Sequence, residues 1–189
     1  MRGGIINAGT RYAPQLITYS VIFISLSIAA YGLFLRKKIK IDPGHERIFI
    51  LTLLCVGLLL RISSATLIEG HPFDMNLFKN WATAAANNLF QVYSSPRSSD
   101  YPPLYMYILF LIGKIASVPA MSPYFTLLLK LPSMAADIAT SYLIYRIAGK
   151  YLSPEISILL SAFYIFNPAV FINSTFWGQV DSFFTFIIV

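Results

Sequence analysis

Residues 69–101, EGHPFDMNLFKNWATAAANNLFQVYSSPRSSDY, form a polar island between two long apolar runs. The island holds two acids in distinctive settings, which are His71-Pro72-Phe73-Asp74-Met75-Asn76 and Asp100-Tyr101-Pro102-Pro103-Leu104. The double proline makes the second stretch rigid, and tryptophan, which the island also contains, favours the membrane–water interface. The island therefore indicates a site that is presented at a membrane surface.

Composition places the chain in a lipid environment. Of its 189 residues, 57% are hydrophobic and 12% are charged, whereas soluble domains have roughly 25% charged residues. The net charge of +6 does not indicate a nucleic-acid partner, because the basic residues are concentrated in one short segment. Five of the fourteen follow the first apolar run, namely Arg36, Lys37, Lys38, Lys40 and Arg47. Such a cluster is typical of a cytosolic loop beside a spanning helix.

Four apolar segments come near the length of about 20 residues that a spanning helix needs. We expect transmembrane helices over 14–35, 48–68, 124–147 and 155–173, with a further helix that starts at about 182. Because this last segment is too short to span, we expect 1–189 to be an amino-terminal fragment and one incomplete membrane domain. The predicted fold is an all-α polytopic membrane protein with a helical external loop over 69–101.

The shorter apolar run 104–118 decides how the chain is threaded. If it spans, Arg146 and Lys150 fall on the external side together with the island, which conflicts with the usual charge bias. If it is re-entrant or lies along the interface, the loop that begins at Arg146 is cytosolic, and residues 177–181 join the island outside. The run of roughly 15 residues is short for a span. This favours the second arrangement and leaves a full short span open.

Asp74 and Asp100 each also have a structural interpretation. Asp74 fits the N-cap of a helix in which Phe73 and Phe78 form a hydrophobic staple. That helix would lie on the membrane surface with Trp81 at the level of the lipid headgroups. Asp100 fits a turn or a cap before the double proline. Taken singly, each acid is as consistent with a structural role as with a functional one.

Charged residues inside the apolar segments indicate either a cavity or pairing between helices. Lys130 and Asp137 are seven residues apart, which is about two helical turns, so they lie on one face of a helix. Charged groups at this depth line a cavity or meet a partner, and a structural ion pair with a neighbouring helix is the competing interpretation. Arg61 either snorkels to the surface or faces the interior of the protein. A further acid, Asp181, follows the turn Trp177-Gly178-Gln179.

The order of these motifs resembles that of the GT-C membrane glycosyltransferases. The matching stretches are His71-Pro72-Phe73-Asp74 with Trp81, Asp100-Tyr101-Pro102-Pro103-Leu104, Lys130-Leu131-Pro132 with Asp137, Asn167-Pro168, and Trp177-Gly178-Gln179-Val180-Asp181-Ser182. They cover about residues 60–189 and are most similar to the group described as GPI-mannosyltransferase-like proteins. The dolichol-linked glucosyltransferases of N-glycan assembly are more distant relatives. The resemblance implies a GT-C-like bundle of transmembrane helices.

The resemblance also implies an activity and a set of site residues. The enzyme would move a hexose, first of all mannose, from a polyprenyl-phosphate donor to a lipid or protein acceptor, with Asp74 as the catalytic base. The residues implied in substrate binding are Asp100, Tyr101, Lys130, Asp137, Trp177, Gln179 and Asp181. The stretch Asp74-Met75-Asn76 lacks the second acid of a DxD motif, so neither a metal nor another cofactor is implied. His71 is expected to be a loop residue.

The resemblance places the site on the extracytoplasmic or lumenal face, of the plasma membrane in a prokaryote or of the endoplasmic reticulum in a eukaryote. Two other classes stay open. A noncatalytic membrane subunit would explain the helices but does not require Asp74, Asp100 and Asp181 on one face. A secondary transporter would also use intramembrane charges, but its binding residues are expected near the midplane, often in paired repeats.

Overall fold

The computed structural model describes residues 13–36, 40–42, 44–94 and 99–188. Every regular element in these ranges is helical, which confirms the predicted all-α class. The α-helices are α1 (Ala13–Leu35), α2 (Glu46–Leu67), α3 (Pro72–Asn87), α4 (Pro103–Ala116), α5 (Phe125–Ala148), α6 (Pro154–Ile165), α7 (Pro168–Phe171) and α8 (Asp181–Ile188). Short 3₁₀-helices cover Leu89–Ser94 and Ser122–Tyr124, and a π-helical segment covers Ile172–Trp177. Lys37 and Lys38 of the basic cluster, and 95–98 of the island, lie outside the described residues.

Three helical segments are long and apolar enough to cross a membrane, namely Ala13–Phe34, Glu46–Leu67 and Ser122–Ala148. A fourth span results if α6 and the bent segment after it are taken together, whereas α4 is apolar but shorter. The faces of α1 and α2 expose large apolar side chains such as Leu26 and Leu59. Apolar surface of this extent suits contact with lipid rather than with water.

The segment predicted as one helix over 155–173 is broken in the structure. α6 ends at Ile165, α7 begins at Pro168, and the axis of the chain bends by 44° between them. Proline causes the break because it has no backbone N–H and because it disfavours helical geometry in the residue before it. That residue, Asn167, caps α7 instead, and its Oδ1 accepts a hydrogen bond from the N–H of Ala169 at 2.9 Å. The break redirects the chain into the π-helical segment that ends at Trp177.

Helices α2 and α5 pack against each other and run antiparallel. At the end of α2, the carbonyl oxygen of Ile68 accepts a hydrogen bond from Lys130, which lies near the start of α5. At the opposite ends of the same two helices, Arg47 and Arg146 line one cavity. The 22 residues of α2 correspond to about 33 Å of helix. These two ends are therefore separated by about the thickness of a hydrocarbon core.

Helices α5 and α6 cross closely at a pair of buried serines. The hydroxyl of Ser141 lies 3.1 Å from the carbonyl oxygen of Ser161, and the hydroxyl of Ser161 lies 2.9 Å from the carbonyl oxygen of Ser141. Small residues whose hydroxyls form hydrogen bonds with the neighbouring helix allow two helices to approach closely in apolar surroundings. The pair fixes α6 against α5 and so fixes the origin of the broken segment.

Helices α3 and α4 share the main apolar core, to which α5 and α8 also contribute. Trp81 is only 3% exposed and packs against the rings of Phe78 and Tyr101. Trp81 therefore packs inside the protein, because α3 turns this face towards α4, and its ring does not face the lipid headgroups. The depth of α3 in the membrane stays a prediction. The two backbones approach closely at Gly113, where an added Cβ would collide with the carbonyl of Ala82.

Candidate functional site

Asp74 lies in the first turn of α3 but does not cap it. The helix begins at Pro72, so His71 takes the N-cap position, without a capping hydrogen bond from its side chain. This corrects the predicted N-cap role of Asp74, because proline favours the first helical position and starts the helix earlier. The Oδ2 atom of Asp74 instead accepts hydrogen bonds from Nε1 of Trp177 at 2.6 Å and from Nε2 of Gln179 at 2.8 Å.

His71 also connects the start of α3 with the turn at residues 177–179. Its ring stacks on the indole of Trp177, with 4.9 Å between centroids and 15° between planes. Its backbone N–H donates to the carbonyl oxygen of Trp177 at 3.0 Å. Its Nδ1 lies 3.2 Å from Oδ2 of Asp74, a close contact whose angle is not that of a hydrogen bond. His71 thus belongs to the site, although the sequence indicated only a loop position.

Two glycines allow these segments to approach each other. Gly70 and Gly178 both have positive φ angles, of 97° and 86°, which residues other than glycine rarely adopt. A Cβ at Gly178 would lie 2.6 Å from Cε of Met75, and a Cβ at Gly70 would lie 2.9 Å from the carbonyl oxygen of Trp177. The contact between Asp74 and the 177–179 turn therefore depends on glycine at both positions.

Lys130 joins the end of α2 to the π-helical segment through two hydrogen bonds. Its ammonium is fully buried and donates to the carbonyl oxygen of Ile68 at 2.6 Å and to that of Thr175 at 2.8 Å. Each carbonyl lies a few residues from a residue that contacts Asp74. The structure thus places Lys130 beneath the site, where it holds the ends of α2 and of the π-helical segment together.

Asp137 pairs with Arg61, and both side chains are fully buried. Nε of Arg61 lies 3.3 Å from Oδ2 of Asp137, and the same oxygen accepts a hydrogen bond from the hydroxyl of Ser174. The guanidinium also lies over the ring of Phe171, 4.8 Å from its centroid. Arg61 therefore faces the protein interior, and Asp137 has the partner on a neighbouring helix that one interpretation expected. The pair anchors the π-helical segment against α2 and α5.

Tyr101 lies among aromatic rings, and two acids act on its hydroxyl electrostatically. Its ring contacts those of Trp81 and Phe184, with centroids 5.4 and 5.9 Å away. Burial raises the pKa of the Tyr101 hydroxyl, and the negative charges of Asp181 and Asp74 raise it further. Tyr101 therefore remains a neutral phenol at physiological pH and can donate a hydrogen bond.

The remaining two acids have different surroundings. Asp181 starts α8, and its Oδ2 accepts a hydrogen bond from Nδ2 of Asn173 at 3.1 Å. The backbone carbonyl of Asn173 also accepts from the N–H groups of Gly178 and Gln179, so this residue shapes the turn that reaches Asp74. Asp100 is exposed, and within the described part of the chain no residue bonds to its carboxylate. The structure thus joins Asp74, Trp177 and Gln179 directly, and Asp181 follows two residues after Gln179. It does not bring the Asp100 carboxylate into contact with them.

The arrangement leaves one oxygen of Asp74 available for chemistry. All three polar contacts of this carboxylate are made by Oδ2, and the side chain is 19% exposed. A carboxylate that is fixed through one oxygen and open at the other can accept a proton from a bound hydroxyl. Over the described ranges, no group of three or more histidine, cysteine or acidic side chains is arranged to hold a metal ion.

Comparisons of this chain with protein-family models, with curated proteins and with solved structures find no match. The class of the site therefore rests on its own geometry. That geometry is a fixed acid in the first turn of α3, the helix that follows the candidate span α2. The same helix carries Trp81, which forms an aromatic cluster with Tyr101 and Phe184. This geometry fits an acid or base that acts at a membrane surface.

Proposed function

We propose that this chain belongs to an integral membrane glycosyltransferase of the GT-C type. It would move a hexose, with mannose as the first candidate, from a polyprenyl-phosphate donor to a lipid or protein acceptor. The observation that carries this proposal is the Asp74 carboxylate, which Trp177 and Gln179 fix through Oδ2 while Oδ1 stays open. The motifs that resemble GT-C enzymes supply the choice of reaction.

Asp74 supplies the proton acceptor for the transfer. The acceptor hydroxyl oxygen attacks the anomeric carbon of the sugar, and the bond between that carbon and the phosphate oxygen breaks. The bonding electrons leave with the polyprenyl phosphate, and the hydroxyl proton passes to Oδ1 of Asp74. The phosphate is a good leaving group and needs little help from an acid, so one positioned base is the main requirement. Attack from the opposite face inverts the anomeric centre.

The aromatic cluster supports a sugar or acceptor site beside the base. Tyr101 presents a neutral hydroxyl whose pKa is raised by burial and by the charges of Asp181 and Asp74, and its ring packs against Trp81 and Phe184. Asp100, which is exposed and directly precedes Tyr101, adds a hydrogen-bond acceptor that suits sugar hydroxyls. We assign these polar groups to positioning of the substrate hydroxyls above the base.

Two of the basic residues inside the bundle serve structure in this proposal. Lys130 donates to two backbone carbonyls and Arg61 pairs with Asp137, so both cations already have partners within the protein. We therefore assign Lys130 and Asp137 to positioning of the catalytic segments rather than to contact with the donor phosphate. The cation that meets the phosphate charge is then a different one.

Asp74→Asn in the full-length protein tests the base directly. Asparagine keeps the size of the side chain but cannot take up the proton, so we expect transfer of labelled hexose from polyprenyl phosphate to be abolished. Expression and membrane insertion should be unchanged. The matched control is Asp42→Asn, the same change at an exposed acid before α2, which should transfer normally.

Near-normal transfer by Asp74→Asn would reject the base assignment. Absence of transfer by the wild type with every polyprenyl-phosphate donor in a panel, despite correct insertion, would favour the noncatalytic subunit instead. Asp100→Asn should reduce transfer without abolishing it, because in this proposal its carboxylate positions the substrate and does not take up the proton.

A further inference from the structure

The end of the bundle opposite Asp74 contains a cavity of about 620 Å³. It lies where the start of α2, the end of α5 and the start of α6 meet. Arg47, Arg146 and Lys150 line it, with Glu46 as one acid in its wall. Three cations against one acid give the cavity an excess of positive charge. This end has no part in the proposed transfer chemistry.

We infer that this cavity binds the phosphate headgroup of an anionic phospholipid from the leaflet opposite the Asp74 site. Its position favours a lipid over a soluble ligand, because it lies at the ends of two helices that are long enough to span. The three cations converge on one concavity, whereas a charge bias alone requires only that they lie on one side. Convergent cations of this kind bind lipid phosphates at the membrane surface.

The walls of the cavity fit the other parts of a phospholipid. Tyr142 and Tyr145 contribute hydroxyl groups beside the cations, and Nη1 of Arg146 donates to the hydroxyl of Tyr142 at 3.3 Å. Tyrosine with its hydroxyl towards the headgroup is favoured at this depth of a membrane. Leu51 lies in the wall and is 58% exposed, so it offers an apolar surface along which an acyl chain can run.

Retention of lipid by the full-length protein in neutral detergent tests the inference. Delipidated protein is offered equal amounts of phosphatidylglycerol and phosphatidylcholine, and bound lipid is quantified after gel filtration. We expect the wild type to retain phosphatidylglycerol preferentially. Arg47→Gln combined with Arg146→Gln should weaken that retention by roughly thirtyfold, the effect expected for two cations near a charged headgroup. Lys150→Gln alone should give a smaller loss.

The matched control is Lys79→Gln combined with Lys114→Gln, which removes the same charge from α3 and α4. It should retain phosphatidylglycerol like the wild type. Equal loss in both double variants, or no preference over phosphatidylcholine in the wild type, would overturn the inference. Displacement of the lipid by millimolar inorganic phosphate would also overturn it in favour of a soluble phosphate ligand. None of these outcomes depends on hexose transfer, so the two proposals fail independently.

Discussion

The indole N–H of Trp177 is the shortest polar contact of Asp74, at 2.6 Å. Trp177→Phe removes this donor and keeps an aromatic ring against His71. A hydrogen bond to a charged group is worth about 1.5–3 kcal/mol, so the catalytic rate should fall roughly tenfold or more. Because the bond orients the base rather than the substrate, we expect kcat to fall and KM to stay nearly constant. Steady-state transfer kinetics measure both parameters.

Tyr19→Phe is a suitable control for Trp177→Phe. It also removes one donor from an aromatic ring, since the Tyr19 hydroxyl donates to the carbonyl oxygen of Phe166 at 2.6 Å, but it does so at α1. Transfer by this variant should remain normal. A rise in KM with unchanged kcat in Trp177→Phe would mean that the indole contacts substrate and does not orient the base.

At the level of elements, α3 depends on its close contact with α4. Gly113→Ala would press a methyl group against the carbonyl of Ala82, which is backbone and cannot move aside without shifting a helix. Overpacking of this kind costs about 1–3 kcal/mol, so the melting temperature in detergent should fall. Hexose transfer should fall as well, because α3 carries Asp74.

Gly32→Ala is the matched control for this packing effect. A Cβ at Gly32 would have nothing within 4 Å, since this part of α1 is open. Alanine is the better helix former by about 1 kcal/mol, so this variant should melt at the same or a slightly higher temperature. Equal melting temperatures of Gly113→Ala and the wild type would show that the two helices are not in close contact.

At the scale of the whole molecule, helix positions are the part of the fold that the sequence predicted best. The expected segments 48–68 and 124–147 differ by a few residues from Glu46–Leu67 and Phe125–Ala148, because apolar runs of spanning length are a strong signal. The break before Pro168 and the π-helical segment were not predicted, although the proline itself indicates where continuity is lost. The missing backbone N–H of Pro168 thus interrupts a helix that the apolar composition of 155–173 predicted to be continuous.

The candidate site could be predicted only in part. The sequence placed Asp74, Trp177 and Gln179 on one face, but their contact joins residues 103 and 105 positions apart and depends on tertiary packing. The two hydrogen bonds that Lys130 donates to Ile68 and Thr175 could not be found from the sequence, because their acceptors are backbone carbonyls, which every residue has. Asp137 was expected to need a partner, and only the packing of α2 against α5 identifies it as Arg61.

The antiparallel course of α2 and α5 leads to a prediction about sidedness. It places residues near Arg47 and Lys150 at one end of the bundle and the island at the other, so we predict that α4 does not carry the chain across the membrane. Single cysteines test this in a background that carries Cys55→Ser, which removes the one natural thiol. Phe90→Cys and Tyr151→Cys suit the two ends, because these side chains are 90% and 81% exposed.

In intact cells, a membrane-impermeant maleimide should label Phe90→Cys, because the basic segments are expected to stay in the cytosol. Tyr151→Cys should be labelled only after the membrane is made permeable. Labelling of both positions from outside would mean that 104–118 spans, and it would reject the arrangement in which the lipid cavity and the Asp74 site face opposite sides. If only Tyr151→Cys were labelled in intact cells, the lipid cavity and the Asp74 site would still face opposite sides, but the whole protein would have the inverted orientation. Asp74 would then lie on the cytosolic side, where an external hexose donor could not reach it.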